Sequence, residues 1–375
     1  MLLQVAFAYS QNAEIEVVDL KPTVNENKFP EVHCENNPKI AEKINTFLQV
    51  MELEHVPNVF KIHPFEKVML DTNNCCSYVD FAYWTLNKTP RSILSISLAG
   101  EAGGAYITGF STIHNFDVRT GDKLVIKNIL SERGAKEITE WLHIQIKSQL
   151  DSILKILNIP ITENYAIEKG WLGEDLESDE KERVLDALKE ETQKQIDLYQ
   201  DCFYQTNAPS LDYAEIIFQE SGIKFTIDEC ANHASRALDG LIGYSFKLSY
   251  NELEKHLSEY GKSLLNNDNK CLVAENPEGK MFKGKINSKY PITAIVTRWD
   301  DYSDCSILYW YDKVKVPIQW NGKYNNNHLS LKEYDEEHHS GCIAEIEADW
   351  KNNKIIGMWK NIKTGQKLTI ELKGY

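Results

Sequence analysis

The chain has no run of apolar residues approaching the roughly 18 needed to cross a bilayer as a helix, so no transmembrane segment is expected. Positive charge is scarce: 41 Lys and Arg stand against 56 Asp and Glu, for a formal net charge of −15. A surface of that sign repels a phosphate backbone, so nucleic acid is not an expected partner, whereas a basic protein would be drawn in by long-range steering. No C-x-x-C pair occurs among the eight cysteines, and no histidine stands at zinc-finger spacing, which argues against a structural zinc site. The G-x-x-x-x-G-K-[ST] and G-x-G-x-x-G phosphate loops are missing, as are the G-x-S-x-G elbow and the H-E-x-x-H zinc signature. No cofactor, metal or catalytic motif is expected.

At 375 residues the chain exceeds one ordinary core, and its 42% hydrophobic content is enough for two or three packed domains. It begins "MLLQVAFAYSQNAEIEVV", an apolar stretch followed by Ala6 and Ala8 in A-x-A spacing, which reads as a signal-peptide remnant over residues 1–11. An ordinary amino-terminal strand is the alternative. Export implies a periplasmic or secreted setting in which disulfides persist. Cys202 with Cys230 and Cys305 with Cys342 are the expected bridges, since each pair joins segments expected to neighbour one another in a sheet. Cys34 with Cys75 or Cys76 is a further pairing, and Cys271 is left over.

Residues 12–265 read as an α+β domain of antiparallel sheets with inserted helices. Ile40, Ile44, Leu48 and Met51 recur at helical spacing, and Ile138, Leu142, Ile146, Leu150, Ile153 and Leu157 mark a second apolar face. A third helix is expected within Ser178 to Tyr199, and Ser249-Tyr250-Asn251-Glu252 is a capping box. "STIHNFDVRT", "KLVIKNIL", "CFYQT", "YAEIIFQES" and "IKFTID" read as strands, and "TENYAIEKGWLGEDLE" as a loop. Beyond "LLNNDNK" the texture changes to about eight short strand candidates with tight connections, the signature of an all-β meander or small barrel. Over 272–375 this second domain is expected to fold without the rest. Ile307, Tyr309 and Tyr311 alternate with Leu308 and Trp310, so two apolar faces predict barrel closure or packing against the first domain.

Candidate site residues centre on "SLAGEAGGAYITG", where Gly103-Gly104 feeds a strand and not a helix, so a phosphate cradle is disfavoured and a turn or bulge is expected. Such a turn lets the backbone approach a partner, and Glu101, Gly103, Gly104 and Tyr106, with Asp117, form the expected partner surface. Glu101 and Asp117 could also be the carboxylate pair of a carbohydrate hydrolase. Cys230 with His233 reads as a disulfide candidate and a loop histidine ahead of a nucleophile pair, and Glu336-Glu337-His338-His339 as a solvated turn ahead of a metal cluster. Trp299, Trp310, Trp320, Trp350 and Trp359 read as core or barrel lining ahead of ligand stacking.

The stretch "LSISLAGEAGGAYITGFSTIHNFDVRTGDKLVIKNIL", with "FPEVHCENNPKIAEKINTFL" before it and "CFYQTNAPSLDYAEIIFQESGIKFTIDECANHASRALDGLIGYSFKLSYNEL" after it, resembles the RsiV/PdaC-type extracellular domain family. That family includes the sensing region of a lysozyme-binding anti-sigma factor and an accessory region of a peptidoglycan deacetylase. The family loop commonly reads Gly-Gly-Ala-His, and Tyr106 replaces its histidine here. The resemblance implies an exported, non-enzymatic envelope protein that binds a basic lysozyme or a peptidoglycan fragment. A cell-wall hydrolase and a structural envelope assembly protein are the alternatives.

Overall fold

The structure, a computed structural model, describes residues 6–9, 14–22, 27–68, 78–103, 107–205, 211, 214–227, 230, 239, 243–266, 272–300, 302–334 and 341–375. By packing, residues 1–129, 218–221 and 257–375 form one compact unit, and 130–217 with 222–256 form another.

In the first unit, β1 (Ala6–Tyr9), β2 (Glu14–Asp19) and β3 (Pro30–Cys34) make one three-stranded sheet. The stretch read as a leader thus contains a strand, with Ala6 opposite Val17. Helix α1 (Pro38–Leu53) starts at a proline, whose fixed φ suits the first helical position. Its buried face includes Ile40, Ile44, Phe47 and Leu48, while Met51 is 38% exposed. Lys43 is buried as well, because its ammonium group meets the Asp122 carboxylate and donates to the Tyr375 carbonyl at 3.0 Å. Ion pairing of this kind lets a helix bury a charged position that hydrophobic periodicity assigns to water.

A second sheet holds β4 (Tyr78–Leu86), β5 (Ile93–Gly103) and β6 (Thr108–Asp117). After β6 the chain turns through Gly121 at φ +74°, where a side chain would be strained and its Cβ would lie 3.0 Å from the Ile40 carbonyl. The following "KLVIKNIL" is no strand: an isolated bridge from Lys123 to Phe116 gives way to α2 (Ile126–Ile129). A later helix, α7 (Glu259–Leu265), belongs to the same unit, and its Ser258 cap donates to the Asn128 carbonyl at 2.6 Å.

The second unit is mainly helical. Ser131 caps α3 (Glu132–Leu157) by accepting from the Gly134 amide, and Ile138, Leu142, Ile146 and Leu150 form its buried stripe. A Cβ on Gly134 would fall 2.0 Å from the His256 carbonyl, so only glycine permits that close approach. The expected loop contains a short helix, α4 (Glu163–Glu168). Helix α5 (Ser178–Gln205) runs past its expected end, so "CFYQT" is largely helical; Ile196, Tyr199 and Cys202 continue its buried face at threefold spacing. A third sheet, β7 (Glu215–Gln219), β8 (Gly222–Ile227) and β9 (Tyr244–Ser249), leads into α6 (Tyr250–Leu253). There both halves of the Ser249/Glu252 capping box form.

Eight strands then close an antiparallel barrel: β10 (Met281–Ile286), β11 (Tyr290–Trp299), β12 (Asp304–Tyr311), β13 (Ile318–Asn325), β14 (His328–Tyr334), β15 (Cys342–Lys351), β16 (Lys354–Asn361) and β17 (Lys367–Gly374). Every neighbour in sequence pairs, and β10 with β17 completes the ring. Asn326-Asn327 and Asn352-Asn353 make two-residue turns with both residues at positive φ, the twist that joins hairpin strands. Ile307 and Tyr309 point into the lumen, while Trp310 on the outer face joins Met281 and Ile295 in the core shared with α1 and β2 to β6. Both outcomes predicted from the two apolar faces are realised together.

The cysteines divide. Cys202 and Cys230 are bonded, with Cα atoms 5.4 Å apart. The bridge joins the last turns of α5, and not a sheet segment as expected, to the chain after β8. Cys305 and Cys342 are both free, which corrects the second expected bridge. Cys305 lies on β12 and Cys342 on β15, three strand spacings apart around the barrel, about 14 Å at about 4.8 Å per spacing and beyond any disulfide's reach. Burial pushes the Cys305 thiol up to about 12. Cys34 is free and buried, whereas Cys75, Cys76 and Cys271 lie outside the described residues.

Candidate functional site

Two of the five expected partner-surface residues, Gly104 and Tyr106, lie outside the described residues, as do His233 and Glu336 to His339. Gly103 ends β5 and is buried, and Glu101 is exposed two residues before it. Asp117 is in a different place. In the β5–β6 ladder Glu101 faces Gly109 and Asp117 faces Ile93, so the two acids sit eight residues apart along the strands, about 27 Å at about 3.4 Å per residue. That separation removes them as a carboxylate pair acting on one glycosidic bond, which needs both acids within about 10 Å.

Asp117 is also fully buried. Arg119 grips it through Nε at 2.9 Å and Nη2 at 2.8 Å, and the Tyr260 hydroxyl donates to Oδ2 at 3.0 Å. Arg119 extends the network by donating from Nη1 to the Ser263 carbonyl and hydroxyl. Burial and the neighbouring Asp117 charge push the Tyr260 phenol upward, which keeps it a donor. Asp117 therefore latches α7 to the β6 turn and offers no charge to a partner, a correction to its place in the expected surface.

Ala99 and Ala102, on either side of Glu101, contribute to an apolar cavity of about 210 Å³ walled also by Phe29, Leu53, Phe65 and Phe110. Its polar edge includes Glu52, whose Oε1 lies 2.7 Å from Nε2 of buried His114. No sequence pattern pointed to this cavity, since its walls come from α1, β4, β5, β6 and two loops.

A second feature belongs to the helical unit. The end of α3, the link after it, α4 and α5 enclose a groove of about 350 Å³ lined by Ile156, Ile159, Tyr165, Trp171, Leu188 and Glu191 among others. Ile156 is 61% exposed and Trp171 50%, the latter edge-on to Tyr165 with ring centres 5.7 Å apart. Residues 163–201 around this groove hold thirteen Asp and Glu against five Lys and Arg, a net −8, and all thirteen acids are exposed. More than half of the chain's excess negative charge thus lies in about a tenth of its length. The acid-rich run was visible in the sequence, but the apolar groove beside it was not.

Among the described residues no group of three or more His, Cys, Asp and Glu is placed to hold a metal ion, and no helix is long and apolar enough to cross a membrane. The five tryptophans of the barrel serve as lining or core: Trp299, Trp310 and Trp320 are buried, Trp350 and Trp359 half-buried.

No protein-family model and no curated protein matches the chain. Two solved structures show a distant likeness. A DUF3298 family protein from Pseudomonas aeruginosa PAO1 is 13% identical, the match covering 69% of this chain and 96% of that one at a TM-score of 0.34. A DUF3298 family member from Bacteroides fragilis NCTC 9343 is also 13% identical, covering 72% and 99% at a TM-score of 0.37. Likeness at this level carries no argument about what the chain does.

Proposed function

We propose that this chain is an exported, non-enzymatic binding protein of the bacterial envelope whose ligand is a basic protein, a lysozyme in the first instance. The observation that carries the reading is the chain's charge: −15 overall, with a net −8 over residues 163–201 on a wholly exposed set of acids. Such a field raises the encounter rate of a cationic partner and repels nucleic acid. The motif resemblance to the RsiV/PdaC-type family supports the same class of ligand, and the Cys202–Cys230 bridge suits an oxidising compartment.

Calorimetric titration of the whole protein with a basic lysozyme, at low and then moderate salt, tests the reading. Binding that weakens as salt screens the field is the expected result. Absence of binding at both salt levels overturns the lysozyme assignment, and a parallel titration with a soluble peptidoglycan fragment then tests the glycan ligand.

A further inference from the structure

We infer that the groove between the end of α3, α4 and α5 is a docking site for a basic, amphipathic segment of a partner protein, which inserts an apolar side chain beside Trp171 and sets its Lys and Arg against the surrounding acids. The inference rests on the binding reading above for the sign of the partner's charge; the location comes from the groove.

Helix α3 carries its buried stripe only as far as Leu150. Its last six residues, Ser152 to Leu157, still include Ile153, Leu154, Ile156 and Leu157, yet none of the four is buried. Apolar side chains continue there for a turn and a half beyond the last buried residue of α3. Trp171 adds a half-exposed aromatic surface from the loop after α4, and Glu191 places a carboxylate on the groove wall. The volume, about 350 Å³, falls in the range of about 300–1,000 Å³ typical of ligand pockets. A solvent-facing tryptophan in an apolar groove with a charged rim is the residue type that dominates interface energetics.

Charge selects the occupant. A second copy of the chain would bring one net −8 surface against another, and at about 0.15 M salt the screening length of about 8 Å leaves such close repulsion in place. An anionic membrane surface is disfavoured on the same ground. A cationic segment gains from the field, while its apolar face removes Ile156 and Trp171 from water.

The test uses the full chain and two probes: a synthetic 18-residue amphipathic helix built from Lys and Leu, and a basic lysozyme. The peptide should bind the wild type. Trp171→Ala should weaken it about tenfold or more at every salt concentration. Glu191→Lys should weaken it mainly at low salt and flatten its salt dependence. Glu35→Lys, a charge reversal in the other unit, should leave it unchanged. All three positions are exposed, and circular dichroism establishes that each variant is folded. A peptide that fails to bind, or whose affinity ignores Trp171→Ala, overturns the inference. If lysozyme binds with an affinity indifferent to both groove variants, the docking site is refuted while the envelope-binding reading stands. If the peptide docks and lysozyme does not, the docking site stands and the lysozyme assignment is overturned. A dimer in sedimentation that Trp171→Ala dissociates would assign the groove to a second copy and overturn the basic partner.

Discussion

Glu333 stands inside the barrel, 5% exposed, and one of its oxygens accepts three hydrogen bonds: from the Tyr309 hydroxyl at 2.9 Å, Trp320 Nε1 at 2.8 Å and Trp359 Nε1 at 3.1 Å. Tyr309 and Trp320 are buried donors that need an acceptor, and the carboxylate supplies it across β12, β13, β14 and β16. Glu333→Ala strands those donors and should cost at least about 2 kcal/mol, whereas Glu333→Gln keeps an acceptor oxygen and should cost less. Urea unfolding followed by tryptophan fluorescence reads both, and an alanine variant as stable as the wild type would show that the network does not matter. His328 is a surface counterpart. Hydrogen bonds to Asp349 and Glu347, each at 2.8 Å, raise its pKa above 6.5. Because the folded value is the raised one, the stabilisation is fully present below the unfolded value and is lost as pH rises through the folded value. A titration of the His328 ring by nuclear magnetic resonance should give a midpoint above 6.5; a midpoint at or below it contradicts the pairing.

At the scale of elements, the Cys202–Cys230 bridge ties α5 to the chain after β8 across a sequence separation of 28, for which loop-closure entropy estimates a stabilisation of about 3 to 4 kcal/mol. A Cys202→Ala, Cys230→Ala double variant should unfold at lower denaturant, as should the wild type under reductant. Equal midpoints for reduced and oxidised protein would mean that the bridge constrains little. The pair is legible in the sequence but the element of Cys202 is not, because "CFYQT" has a strand-like composition while the buried spacing of Ile196, Tyr199 and Cys202 extends the helix. Tertiary burial overrode local preference there.

For the molecule as a whole, the outer face of the barrel is half of another core. Trp310, 3% exposed, packs with Met281, Ile295 and the residues of α1 and the first two sheets. Trp310→Ser should therefore destabilise the full chain by about 3 kcal/mol or more. In an isolated 272–375 fragment that face is open to solvent, so the same substitution should raise solubility with little loss of barrel stability. Thermal unfolding and sedimentation of both forms decide it; equal destabilisation in the two would mean that Trp310 serves the barrel itself.

Local pattern alone determined the eight strands of the barrel, their meander order, the Asn-Asn turns, the α3 stripe and the Ser249/Glu252 cap, because each depends on residues at most a few positions apart. Only the tertiary structure decided the rest. Asp117 became a buried latch through Tyr260, 143 positions away, and Cys305 is buried in the barrel lumen, on a strand separated by two others from that of Cys342. The apolar end of α3 became a groove because α4 and α5 fold beside it without covering it. Burial is set by which distant elements meet, and a charge or a cysteine read along the chain does not contain that information.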